Sequence, residues 1–160
     1  MLTDYTAYAD IRAALGISDE DLDDATLALP LYGDYLTQEM EDISLTLPET
    51  YSTIKANGTP SPAELRFLKT CNLFATFAVA KQLTAALPLF AAKQVTDGKA
   101  AVQRFDTPYR DTIKNVLEQY DKQRTRLIAS LDSIGSSGKA AVTPVYFAAV
   151  SPAYDPVTGT

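Results

Sequence analysis

The stretch "SPAELRFLKTCNLFATFAVAKQL", residues 61–83, decides the fold. Ser61 and Glu64 stand three apart, so each side chain can satisfy a backbone N–H beside the other, and Pro62 fills the first helical position, where its missing donor costs nothing. This predicts a helix from Pro62 to about Leu87, broken at Pro88. The helix holds only four charged residues, Glu64, Arg66, Lys69 and Lys81. Leu65, Phe67, Leu68, Cys71, Leu73, Phe74, Phe77 and Val79 project in nearly all directions. A helix apolar all round is buried all round. In a chain of 160 residues that demands either a central position or a second chain covering one side.

Upstream, Tyr8, Ile11 and Leu15 recur at helical spacing and Gly16 follows them, which predicts a helix over 6–15. "SDEDLDD", residues 18–24, gives a capping serine and acids suited to a helix N-terminus. Leu27, Leu31, Tyr35 or Leu36, Met40 and Ile43 predict helix over 24–45, with a kink or fresh start at Pro30 and an end at Pro48. Residues 49–58 read as a short helix or turn. Downstream, Thr107 and Pro108 open a last long helix whose stripe is Tyr109, Ile113, Val116 or Leu117, Tyr120, Arg124, Leu127 and Leu131. Lys122, Arg124 and Arg126 enrich its C-terminal end. From Asp132 onward glycine and proline argue against helix, while Val142, Val145, Tyr146, Phe147, Val150 and Tyr154 make the stretch apolar and nearly uncharged, unlike a solvated disordered tail. The fold class is mainly α: a helical bundle of about four main helices, residues 1–131, carrying an extended C-terminal arm, residues 132–160.

Charge divides the chain. Residues 1–50 hold twelve acids against Arg12 alone, a balance of −11, and residues 51–160 hold thirteen bases against eight acids, a balance of +5. The bland consequence is solubility. The other is that unlike halves attract in contacts between copies. A basic stripe suited to nucleic acid is missing. One cysteine allows no internal disulfide. Neither a secretory leader nor a transmembrane run is visible, so synthesis inside the cell and no membrane partner are expected.

Catalytic signatures fail one by one. GKAAV occurs twice, at 98–102 and 138–142. A phosphate loop needs glycine five residues earlier, where Lys93 and Ser133 stand, and Ser or Thr after the lysine, where both copies have alanine. The copies share at most a turn, at Asp97-Gly98 and Ser137-Gly138. A calcium loop begun at Asp19 would need glycine at its sixth position and glutamate at its twelfth, where Asp24 and Pro30 stand. With no histidine, His-based triads and zinc sites are excluded. Cys71, alone on an apolar helix, reads as packing. Glu39 and Asp42 could do acid–base work in principle but read as a solvated acidic face. No enzyme activity, cofactor or metal is expected.

Three stretches resemble the head-to-tail adaptor (connector) proteins of tailed bacteriophages. "YTAYADIRAALGISDEDLDDATLALPLYGDYLTQEMEDI" (5–43) is similar to their N-terminal helices. Residues 61–83 resemble their hydrophobic central helix. "TDGKAAVQRFDTPYRDTIKNVLEQY" (96–120) resembles the linker into their last helix. The resemblance spans residues 5–131. It implies a structural virion protein made in the host cytoplasm and placed at the neck. There a ring, typically of twelve copies, joins the portal to a tail or nozzle protein and passes DNA without reading its sequence. It also implies that Phe67, Phe74, Phe77, Lys99, Arg104 and Phe105 serve contacts between subunits. The arm residues Val142 to Tyr154 would reach partners, and Asp19, Glu20, Asp21, Asp23 and Asp24 would face the channel or the portal. Rival readings are a tail terminator or head-completion protein, a small non-viral interaction module, a carboxylate enzyme needing a polar pocket, and a DNA-binding regulator needing a basic recognition helix.

Overall fold

The computed structural model describes residues 1–85, 94–97, 100–103 and 108–137. These residues are mainly helical. A short 3-10 turn, Leu2–Asp4, precedes α1 (Tyr8–Leu15), α2 (Asp24–Leu27), α3 (Pro30–Glu41), α4 (Leu47–Ala56) and α5 (Pro62–Thr84). An antiparallel hairpin follows, β1 (Gln94–Asp97) with β2 (Ala100–Gln103), and then α6 (Pro108–Ser137). The hairpin pairs Asp97 with Ala100. The turn expected at Asp97-Gly98 falls on Gly98 and Lys99, which lie outside the described residues, and the strands were expected only as extended linker.

α5 is the central helix. It packs most extensively on α6 and also touches α1, α3 and α4. Ser61 Oγ accepts from the Glu64 N–H at 3.3 Å, and Glu64 returns the bond from the Ser61 N–H at 2.6 Å, closing the expected capping box. Phe67, Cys71, Phe74, Ala78 and Val79 are wholly buried, with Ala75 and Ala80 letting neighbouring backbones come close. Around them stand Ile11 and Leu15 of α1, Leu36 and Met40 of α3, Tyr51 and Ile54 of α4, and Val116, Tyr120 and Leu127 of α6. The Phe74 and Tyr120 rings meet at 5.7 Å between centroids. Burial on all sides is nonetheless incomplete, because Leu65 and Leu73 remain 44% and 46% exposed.

Several boundaries differ from expectation for identifiable reasons. α1 begins at Tyr8 because Thr6 is tied elsewhere: its hydroxyl meets that of Thr76 at 2.6 Å in the interior. The Thr76 hydroxyl also reaches the Asn72 carbonyl at 3.0 Å. Gly16, at φ 69°, ends α1 as expected, with the Ile17 N–H turned back to the Arg12 carbonyl. Pro30 does make a fresh start, separating α2 from α3. Pro48 does not end a helix; it lies in the first turn of α4, where no donor is needed.

The last helix runs to Ser137, six residues past the expected end of the helical domain at 131. Ile134 continues the stripe three residues beyond Leu131, and both pack on the core, which holds Gly135 in helix. Within that stripe Arg124 is exposed and Gln123 takes the buried place. Residues 138–160 lie outside the described residues.

Candidate functional site

The most organised polar cluster joins three helices. Tyr35 and Glu39 are one turn apart on α3, Lys81 lies near the end of α5, and Tyr120 lies in the buried stripe of α6. Glu39 Oε1 accepts from the Tyr35 hydroxyl at 2.5 Å and from Lys81 Nζ at 3.3 Å. Its Oε2 accepts from the Tyr120 hydroxyl. Lys81 Nζ also sits 4.0 Å from the centre of the Tyr120 ring, a cation–π contact. The Glu39 side chain is only 16% exposed. Burial pushes its carboxyl up, but the hydroxyls of Tyr120 and Tyr35 together with Lys81 outweigh that and hold it below the ordinary range. Burial, then the bond to Glu39, pushes both phenols above theirs.

Three donors on one carboxylate tie α3, α5 and α6 together. Reading Glu39 as solvated is therefore corrected: Tyr120 and Lys81, 81 and 42 residues away in sequence, close over it. The signal was present in Lys81, a lone late charge on an apolar helix. Its partner was not legible, because no spacing on one helix identifies a residue on another.

A second cluster fixes the N-terminal turn. The Tyr51 hydroxyl donates to the Asp4 carbonyl at 2.8 Å, and Lys55 Nζ donates to the same oxygen at 2.5 Å. The Asn72 amide nitrogen reaches the Tyr51 oxygen at 3.0 Å and the Tyr5 carbonyl at 2.9 Å. Burial pushes the Tyr51 phenol up to about 12. These groups line a small hollow of about 280 Å³ with Asp10 at its edge. A larger groove of about 400 Å³ lies between the N-terminal turn and α3, walled by Leu2, Tyr5, Tyr8, Leu29, Pro30 and Leu36. Gly33 opens its floor and Asp34 stands on its wall. Leu29 and Leu31 beside it are 50% and 60% exposed.

The residues expected to carry contacts fall into three groups. Phe67 and Phe74 are wholly buried within this chain and offer no surface to a neighbour, which corrects their assignment to a subunit contact. Phe77 is half-buried against the same core. Lys99, Arg104, Phe105, Val142, Val145, Tyr146, Phe147, Val150 and Tyr154 lie outside the described residues. Most of the acidic run has local partners. Asp23 caps α2 by accepting from the Thr26 N–H at 2.8 Å. Asp24 pairs with Arg12, whose Nε donates to the Leu22 carbonyl at 2.7 Å. Asp21 accepts from the Ser18 hydroxyl at 2.8 Å. Asp19 and Glu20 are exposed.

Cys71 is wholly buried, and burial pushes its thiol up to about 12. Among the described residues no cluster of acids or cysteine could hold a metal ion, and no helix is long and apolar enough to cross a membrane. No known protein family, curated protein or solved structure matches the chain.

Proposed function

We propose that this chain is a structural virion protein, a head-to-tail adaptor that forms a ring below the portal and joins the capsid to the tail. The observation that carries the reading is the resemblance over residues 5–131, whose three stretches include α1 to α3, most of α5, and β2 with the first part of α6. Exposed apolar side chains on three helices and in the turn between α3 and α4 support it: Leu45 in the turn at 82%, Leu31 at 60%, Leu73 at 46% and Leu117 at 41% are surface that neighbouring subunits would cover. A repeated heterologous contact closes into a ring when its rotation allows. In this reading the acidic run Asp19, Glu20, Asp21, Asp23 and Asp24 faces the DNA channel or the portal, where negative charge keeps DNA from adhering during passage.

The test is native mass spectrometry of the purified chain, alone and mixed with the portal ring of the same virus. The expected result is a stoichiometric ring of chains on the portal, which then captures the tail or nozzle protein. A chain that remains indifferent to portal and tail proteins overturns the reading.

A further inference from the structure

The groove between the N-terminal turn and α3 has the chemistry of a peptide seat. Two tyrosines, Tyr5 and Tyr8, and the Pro30 ring line it, with Leu29 and Leu36 behind. Its volume of about 400 Å³ falls in the usual range of ligand sites, roughly 300–1,000 Å³. Aromatic-lined grooves take proline-containing extended segments, because proline has already lost much of the freedom that binding removes. Asp34 on the wall, within residues 1–50 whose balance is −11, disfavours an acidic occupant.

One segment of this chain matches that chemistry. After Ser137 come 23 further residues, and their only charges are Lys139 and Asp155. Between those charges lie Pro144, Val145, Tyr146, Phe147 and Pro152. Fully extended, those 23 residues span at most about 75 Å. The segment follows α6, whose middle carries Lys122, Arg124 and Arg126 exposed, and these bases are drawn to the acidic residues 1–50 of another molecule.

We infer that the groove formed by Tyr5, Tyr8, Leu29, Pro30 and Gly33 binds residues 142–154 of a second copy of this chain. The inference rests on the copy-to-copy association of the adaptor reading and names the seat and the segment within it.

Photo-crosslinking of the full chain tests it. Phe147 is replaced by benzoylphenylalanine, equal amounts of ¹⁴N and ¹⁵N chains are mixed and irradiated, and the adducts are mapped by mass spectrometry. The expected adducts join position 147 of one isotope to residues 1–8 or 28–37 of the other. In Gly33→Leu the yield of these adducts falls about tenfold, the order expected when one side-chain pocket is filled. A Cβ at Gly33 lies 3.8 Å from the Leu2 nitrogen, an ordinary contact, and leucine favours helix over glycine. An unchanged or higher melting temperature therefore shows that this variant is folded. Adducts within single chains only, adducts elsewhere, or groove adducts indifferent to Gly33→Leu overturn the inference. If chains still assemble on the portal while the groove stays unlabelled, this inference alone fails; if they do not assemble at all, the adaptor reading fails with it.

Discussion

Glu39 is where pH acts most directly on stability. Its folded carboxyl titrates below the ordinary 4.5, so its contribution is complete above that value and is lost as pH falls through the folded pKa. Tyr35 and Tyr120 titrate above 10 in the fold, so their contribution is complete below 10 and is lost as pH rises through their folded values. Urea denaturation across pH should give a plateau bounded by these two edges, with the acid edge blunted in Glu39→Gln. Glu39→Ala, which leaves three donors without their acceptor, should cost about 2–3 kcal/mol at pH 7. Gln123 presents the opposite case. It is 4% exposed, and its Oε1 has no partner among the described residues. Gln123→Leu should stabilise by about 1 kcal/mol, read as a higher urea midpoint at unchanged slope. Reading the sequence placed Arg124 in the stripe and passed over Gln123. The heptad-like spacing admits either register, and only contact with α5 decides which side turns inward.

At the scale of elements, local chemistry was most legible where a helix announces its own start or stop. The capping box at Ser61 and Glu64 formed as read, and Ser61→Ala should cost about 1 kcal/mol in thermal or urea unfolding. Gly16 holds φ 69°, so Gly16→Ala should destabilise by about 1 kcal/mol, and the same measurement checks it. Boundaries set by tertiary contact were less legible. Thr6 looks like helix until its hydroxyl is drawn to Thr76, and the glycine and serines after Asp132 look like loop until Ile134 meets the core. Pro48 reads equally well as a stop or a first turn, and Leu47, buried beneath it, selects the first turn.

For the whole molecule, the apolar central helix posed a choice between coverage by its own chain and coverage by another. The fold answers mostly for the first: Phe67 and Phe74 are enclosed by α1, α3, α4 and α6, while Leu65 and Leu73 are left outside. Sequence alone could not separate these leucines from those phenylalanines, since all four lie on a helix without a polar face. The enclosure has a direct readout in Cys71. With its thiol buried and pushed up to about 12, the intact chain should react with a thiol reagent at pH 8 only as fast as it opens. The labelling rate should rise in Glu39→Ala and fall in Gln123→Leu; a rate indifferent to both would mean that α5 opens without loss of the tie between α3 and α6.

The bond between Glu39 and Tyr120 also orders events at the ribosome. The acidic first third of the chain is synthesised early, yet the residue that closes its buried carboxylate comes 81 positions later. At roughly 5–20 residues per second, the nascent helices wait on the order of 4–16 s with Glu39 open to water before its last donor emerges.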